Sequence, residues 1–265
     1  MRRLLALAAG LATTALVAAS LTIAQEALDA SDRLRPGDLA PDLRALVPSD
    51  LYVVDDRDDG GTVRLKFATV IWNAGEGPME IRGSPDPDDG EVRVRQIVHR
   101  AGGGTRVAGP VGSFDFEHRH GHVHLSSFAR YELWRLEGDA PVTLVAINPK
   151  VGFCLMDNLP VDEGRAAEEP VYDQGCDATR QGISPGWGDQ YVAQLYEQDL
   201  VIDGLPDGRY RLVNIANPEG VLAEADRSNN AGHLDLELRD ATVTVVDAGR
   251  ATPIDRRTGW LGGVR

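Results

Sequence analysis

Residues 118–136 read HRHGHVHLSSFARYELWRL, and polar and apolar side chains alternate through both halves of this stretch. Such a period of two is typical of a β-strand with one buried face. Similar runs, rich in β-branched and aromatic residues, recur along the chain at 51–54, 62–73, 91–100, 141–148, 209–218 and 234–246. Their number and spacing predict an antiparallel β protein.

The segments between these runs contain clusters of Gly, Asp, Asn and Pro, as in DDRDDGG at 55–61 and LPDGRY at 205–210. These residues favour turns and end strands. We therefore predict a mostly β fold, an antiparallel β-sandwich core with long loops and little helix. No internal repeat or linker divides the chain, so we expect one domain over residues 36–248 and a loosely ordered tail over 249–265.

The first residues have the three regions of a secretory signal peptide. Two arginines precede an apolar stretch, which ends in small residues before Gln25 and Glu26. We predict a signal peptide over residues 1–24, with cleavage after Ala24, and a secreted protein, either extracellular or periplasmic. A membrane anchor is the alternative interpretation, but the stretch is short for one and lacks a basic flank.

The net charge is −14 in a chain of 265 residues. This charge argues against a nucleic-acid binder and against stable association with an anionic membrane after cleavage. The negative charge is better explained by a cationic partner, which it would attract, or by the need to keep the protein soluble.

Cys154 and Cys176 are the two cysteines of the chain. An even number of cysteines in an exported protein predicts a disulfide, which here would close the polar loop between them. Two unrelated buried thiols are the alternative.

Four of the six histidines, His118, His120, His122 and His124, occupy alternate positions. On a strand, residues two apart project from the same face, so His120, His122 and His124 would point to one side. Imidazole nitrogens suit copper best among divalent first-row ions, and zinc remains open on ligand type. The alternative is a solvated strand face that bears histidines. We expect His118, the outermost, to lie outside the ligand set.

Four motifs together resemble the lysyl oxidase family, and they cover roughly residues 40 to 240 in the family's order. They are the histidine stretch HRHGHVHLSSFARYELW, then NPKVGFCLMD at 148–157, QGISPGWGDQYVAQL at 181–195, and GLPDGRYRLVNIANPEGVLAEADRSNN at 204–230. The resemblance implies a copper-dependent amine oxidase, with copper held by His120, His122 and His124. It also implies a lysine tyrosylquinone cofactor, which this family makes by joining a lysine to an oxidised tyrosine of its own chain. The matching residues are Lys150 and Tyr191.

Without the resemblance, Lys150 would be interpreted as a surface lysine and Tyr191 as a core aromatic. With it, the implied reaction converts a primary amine to an aldehyde with O2 and releases H2O2 and NH3. The substrate would be peptidyl lysine on a cationic protein, or a small amine or polyamine, and the acidic charge would attract each of them. The reaction needs a base, and Asp189, two residues before Tyr191, is the candidate, although an aspartate after a glycine is also ordinary turn chemistry.

The pattern Glu224-x-Asp226-x-x-Asn229-Asn230 provides oxygen ligands of the kind that calcium takes. The resemblance adds the Asp42 side chain and the Leu43 carbonyl to this calcium site. An Asn-Asn turn without an ion is the alternative. For the whole protein, the alternative to the oxidase is a secreted copper-binding β-sandwich module without catalysis.

Overall fold

The computed structural model describes residues 33–85, 92–118, 121–173 and 175–249, and the backbone at 251–252, 254–255 and 260–261. Within this part of the chain, nineteen β-strands form, one 3-10 turn spans Arg57–Asp59, and there is no α-helix. The prediction of a mostly β protein with little helix is therefore confirmed. The predicted signal peptide, residues 1–24, lies outside the described residues.

The strands, in chain order, are β1 Asp38–Leu39, β2 Leu43–Ala45, β3 Ser49–Asp55, β4 Val63–Asn73, β5 Met79–Pro85, β6 Val92–Arg100, β7 Thr105–Glu117, β8 His122–Glu137, β9 Ala140–Phe153, β10 Leu159–Pro160, β11 Gln181–Ile183, β12 Trp187–Tyr191, β13 Asp199–Val201, β14 Gly208–Ala216, β15 Ala231–Arg239, β16 Thr242–Asp247, β17 Ala251–Thr252, β18 Ile254–Asp255 and β19 Trp260–Leu261. Strands β1 to β16 all fall within residues 36–248, the predicted domain.

Two antiparallel sheets make up the body of the protein. The larger has the order β11-β5-β6-β7-β8-β14-β15-β16, with β1, β17 and β9 paired to β6, β15 and β8. The smaller has the order β10-β12-β4-β13, with β2 and β3 also paired to β4. In the tail, β17 pairs with β15, and β18 pairs with β19.

Strand β8 connects the histidine stretch to the centre of the larger sheet. Its first residues pair with the end of β7, and its later residues, from Ala129 to Arg135, pair with β14. Along its other edge it pairs with β9. The strand is therefore supported by three neighbours, so the residues at its beginning are held by a rigid scaffold.

The two sheets pack face to face through a shared hydrophobic core. The ring of Phe67 on β4 lies edge-on to the ring of Tyr131 on β8, with centroids 5.0 Å apart. The Tyr131 hydroxyl, which is fully buried, hydrogen-bonds Thr69 at 2.9 Å and donates to Gln198 Oε1 at 3.0 Å. A buried hydroxyl needs such partners because water cannot reach it. The contacts confirm the predicted sandwich packing.

The long polar loop after β9 is held at both ends. Cys154 and Cys176 form a disulfide, with Cα atoms 5.3 Å apart, as the sequence predicted. Near its start, the buried Asp157 carboxylate accepts hydrogen bonds from the backbone and hydroxyl of Ser184 and from the backbone amides of Val171 and Tyr172. These bonds order a loop that has few apolar side chains of its own.

No helix among the described residues is long and apolar enough to span a bilayer.

Candidate functional site

The histidines at the start of β8 form a pair. His122 and His124 project from the same face, and their Nε2 atoms lie 2.9 Å apart. His124 is buried, with 8% of its surface exposed, and His122 is half-buried. Their backbone partners on β7 are Glu117 and Asp115. The predicted third ligand, His120, lies outside the described residues.

The spacing of this pair fits a shared metal ion. Two imidazole nitrogens that each lie about 2.0–2.1 Å from one ion, at right angles, are separated by about 2.9 Å. This is the separation of the two Nε2 atoms. Among the described residues, however, no group of three or more His, Cys, Asp or Glu side chains converges on one point. The described pair would therefore need further ligands.

Gly152 on β9 lets the backbone approach His124 closely. A Cβ atom at this position would lie 2.9 Å from the Cβ of His124 and 3.3 Å from its Nδ1 atom. Such contacts leave no room for a side chain, so glycine is required for β9 to run beside the histidine.

The ring contact described for His118 is with Phe116 and not with the histidine pair. Its side chain is exposed, and its ring lies edge-on to Phe116 with centroids 5.0 Å apart. Its exclusion from the ligand set stays a prediction.

Tyr191, the last residue of β12, packs against Phe153, the residue that follows Gly152 on β9. Its ring stacks on Phe153, with centroids 3.9 Å apart and 28° between the planes. Its hydroxyl accepts a hydrogen bond of 2.8 Å from the backbone amide of Cys154. Burial raises the pKa of Tyr191 well above its usual value, and the nearby Asp189 carboxylate raises it further. Lys150, which we predict to be joined to Tyr191 in the cofactor, is a residue of β9. Its side chain lies outside the described part of the structure.

Asp189 projects from the same face of β12 as Tyr191, two residues away, and is fully buried. Its Oδ1 accepts a hydrogen bond of 3.0 Å from the side-chain amide of Asn158. Its Oδ2 has no hydrogen-bond partner among the described residues. Burial raises the pKa of Asp189 well above its usual value, and the Asp157 carboxylate adds to the shift. A base for reactions near neutral pH needs such a raised pKa.

The predicted calcium residues come together around the start of β2. The Leu43 backbone amide donates to Glu224 Oε2 at 3.0 Å, and Asn230 Nδ2 donates to Glu224 Oε1 at 2.7 Å. Asn229 Nδ2 donates to both Asp42 Oδ1 and Asp226 Oδ2, at 2.9 and 3.2 Å. In the described part, the buried Oδ1 atoms of Asn229 and Asn230 have no hydrogen-bond partners. Two orphaned oxygens beside carboxylates fit a cation that prefers oxygen ligands.

Our sequence analysis missed three residues that organise the site, namely Asp157, Asn158 and Gln181. Gln181 Oε1 accepts from the Leu155 amide, and its Nε2 donates to the carbonyl of Val123, which lies between the two histidines. Asp157 is the last residue of the quoted motif NPKVGFCLMD, so its position there was the available signal. Gln181 had the same signal, as the first residue of the quoted motif QGISPGWGDQYVAQL, whereas Asn158 lies just outside the motifs and its partners are distant in sequence.

The fold and the site define an antiparallel β protein with an imidazole pair at the start of β8 and a buried, stacked tyrosine at the end of β12. The sequence model of the lysyl oxidase family matches residues 93–248, which is more than half of the chain. The chain therefore belongs to the lysyl oxidase family.

Several curated relatives match a shorter part. Protein-lysine 6-oxidase of Gallus gallus is 30% identical over 126 residues, which is 47% of this chain and 28% of the relative. Protein-lysine 6-oxidase of Homo sapiens is 31% identical over 125 residues, again 47% and 28%. Lysyl oxidase homolog 3B of Danio rerio is 34% identical over 113 residues, 42% of this chain and 13% of the relative. The chain thus spans less than a third of the length of these relatives.

Proposed function

We propose that this protein is a secreted copper amine oxidase of the lysyl oxidase type. The observation that carries the proposal is the sequence of contacts along β9. Gly152 contacts His124 of the histidine pair, and the next residue, Phe153, stacks on Tyr191. Strand β9 therefore contacts both a proposed metal ligand and the proposed cofactor tyrosine, at two successive positions that project to opposite faces of the strand. The alternative remains a secreted copper-binding module without catalysis.

The metal in this proposal is copper, held by His120, His122 and His124. The 2.9 Å separation of the Nε2 atoms of His122 and His124 supports it, because it suits two nitrogens on one ion. Copper is the divalent first-row ion that nitrogen ligands bind most tightly. Burial of His124 keeps its ring in a single orientation, which favours binding over a disordered histidine tract.

The organic cofactor in this proposal is a lysine tyrosylquinone made from Lys150 and Tyr191. Once formed, it would oxidise a primary amine to an aldehyde, with O2 as the final oxidant, water as the source of the aldehyde oxygen, and H2O2 and NH3 as products. Phe153 stacks on the Tyr191 ring and shields one of its faces from water. Asp189 is the proposed base that takes a proton from the substrate carbon next to the nitrogen.

The proposed substrates are primary amines, either peptidyl lysine on a cationic protein or polyamines. The disulfide-closed loop supports this proposal, since Glu163, Glu168 and Glu169 are all exposed on it. Together with the net charge of −14, these carboxylates would steer cations toward the protein. The disulfide also supports secretion, because such bonds persist in oxidising compartments.

Mass spectrometry of the copper-loaded protein tests the cofactor assignment directly. After aerobic loading and digestion between residues 150 and 191, we expect one covalently joined pair of peptides that contains both Lys150 and Tyr191. The matched controls are protein kept free of metal by a chelator and the variant Lys150→Arg, which keeps the charge but cannot form the same bond. Two separate, unmodified peptides from the copper-loaded parent would favour the non-catalytic module.

We also propose a structural calcium site that comprises Asp42, Leu43, Glu224, Asp226, Asn229 and Asn230. It would join the beginning of the domain to its end, since these residues come from the segments before β2 and before β15. The unpartnered Oδ1 atoms of Asn229 and Asn230 support it. The buried Glu224 supports it too, because burial raises the pKa of this carboxyl to about 7 and a cation would relieve that cost.

Glu224 makes the stability of the calcium-free protein depend on pH. Its pKa rises from 4.5 when the chain is unfolded to about 7 in the fold, so the folded state holds the proton more tightly. The stabilisation is complete below pH 4.5 and is lost as the pH rises through 7. With a chelator present, we expect the parent to lose about 3 kcal/mol of unfolding free energy over this interval relative to Glu224→Gln. Denaturant titrations at several pH values measure this difference.

Glu224→Gln serves as the control because it mimics the protonated carboxyl at every pH. At pH 7, added calcium should raise the denaturant concentration at the midpoint of unfolding for the parent and leave that midpoint unchanged for Glu224→Gln. An equal midpoint of the parent in calcium and in chelator would contradict the calcium site and leave the Asn-Asn turn as the interpretation.

A further inference from the structure

The segment 154–158 contacts both Asp189 and Tyr191 of β12. Its first residue donates its backbone amide to the Tyr191 hydroxyl at 2.8 Å, and its last donates its side-chain amide to Asp189 Oδ1 at 3.0 Å. One short segment therefore holds both the proposed cofactor tyrosine and the proposed base.

The orientation of the Asn158 side chain is determined by the backbone of β12. Its Oδ1 accepts a hydrogen bond of 2.7 Å from the backbone amide of Gln190, and its Nδ2 also donates to the Gln190 carbonyl at 3.2 Å. The Asn158 backbone amide donates to the carbonyl of Gly188 at 3.2 Å. Only an oxygen can accept from the Gln190 amide, so the NH2 group must face Asp189.

The described surroundings of Asp189 otherwise disfavour its charge. It is fully buried, the Asp157 carboxylate repels it, and the two tyrosines that interact with it among the described residues, Tyr131 and Tyr191, carry no positive charge. Two donors favour the ionised form, the side-chain amide of Asn158 and the backbone amide of Met156. Asn158 is the one of the two that mutation can remove.

We infer that Asn158 is a positioning residue for Asp189, which it holds ionised and oriented for the proton transfer of the amine oxidase reaction. This inference rests on the proposed function. Asn158 donates a hydrogen bond to Oδ1 of Asp189. The other oxygen, Oδ2, has no hydrogen-bond partner among the described residues and is therefore the one that takes the proton. The C–H bond of the substrate breaks, its proton becomes the carboxylic acid proton of Asp189, and its electron pair passes to the quinone and then to O2.

The test compares Asn158→Ala with the parent over a range of pH. Removal of a donor to the charged form should raise the pKa of Asp189, so the acid limb of kcat/KM for a primary amine should move up by about one pH unit. Infrared titration of the Asp189 carboxyl, identified by its loss in Asp189→Asn, should move in the same direction in metal-free protein. Asn158→Asp keeps the acceptor for the Gln190 amide but places a carboxylate oxygen against Asp189. The acid limb of kcat/KM for this variant should therefore move up further than that of Asn158→Ala.

Asn148→Ala is the matched control, since Asn148 is a half-buried amide whose hydrogen bond, to the Glu197 carbonyl, involves neither Asp189 nor Tyr191. Its pH profile should match that of the parent. If Asn158→Ala lowers the rate at every pH while the limb and the carboxyl titration stay in place, the residue is merely structural and the inference is wrong. If the copper-loaded parent releases no peroxide at all, the proposed function itself fails, and with it the role of Asn158 in proton transfer.

Discussion

Replacement of Tyr191 by phenylalanine is expected to abolish peroxide release from primary amines by the copper-loaded protein. The ring of phenylalanine can still stack on Phe153, which lies 3.9 Å from the tyrosine ring, so the local packing is kept. It has no phenol oxygen, however, and a quinone cannot form from it by the same oxidation. The loss should therefore be complete at every pH and not a partial decrease. A coupled peroxidase assay with a diamine and with a lysine-containing peptide measures it.

This substitution should lower the free energy of unfolding only slightly, and that effect can be measured separately from the loss of activity. Without the Tyr191 hydroxyl, the backbone amide of Cys154 loses its acceptor, which costs about 1–3 kcal/mol for a buried group. Tyr52→Phe is the matched control, because its hydroxyl also makes one hydrogen bond, to the Ala193 carbonyl, and lies in no proposed cofactor. Peroxide release from Tyr191→Phe equal to that of the parent would show that the cofactor assignment is wrong.

Loss of the disulfide is expected to destabilise the protein and to weaken copper binding together. A loop of 22 residues between Cys154 and Cys176 corresponds to about 3 kcal/mol of unfolded-state entropy, or roughly 6–12 °C in Tm for a domain of this size. The bond also joins two elements of the site. The Cys154 amide donates to the Tyr191 hydroxyl, and the Cys176 carbonyl accepts from the amide of Val123, which lies between the two histidines.

The double variant Cys154→Ser/Cys176→Ser tests this coupling. Thermal unfolding should show the lower Tm, and a copper titration followed by visible absorption should show a weaker site. The parent treated with a reductant is the matched control and should behave like the double variant in both measurements. An unchanged copper affinity in a variant with the expected lower Tm would mean that the loop does not support the histidine strand.

Local pattern was sufficient to predict the class of fold. The runs at 62–73 and 209–218 alternate or carry β-branched residues, and the structure contains β4 and β14 there. Period and turn composition act over a few residues, so a single sequence reveals them. Which strands pair is a different question. Strand β8 changes neighbours along one edge, from β7 to β14, because three separate parts of the chain must bury apolar faces against it.

The candidate site divides in the same way. His122, His124 and Tyr191 could be selected in advance because their spacing and motifs are local, and the only two cysteines allowed one disulfide. The contacts of Asn158 with Asp189, and of Gly152 with His124, could not be predicted. Each joins residues more than 25 positions apart, and each depends on how two strands and a loop pack.

The sequence by itself determined a mostly β protein of the lysyl oxidase family, with its imidazoles at alternate positions of one strand and its candidate cofactor residues in named motifs. Those properties follow from residue type and spacing, which need no folded chain. The tertiary structure alone decided that β9 contacts His124 at Gly152 and Tyr191 at Phe153. It also decided that Asp189 is buried against Asn158 and Asp157. Burial and neighbouring charge set proton affinity, and both arise only when segments distant in sequence pack together.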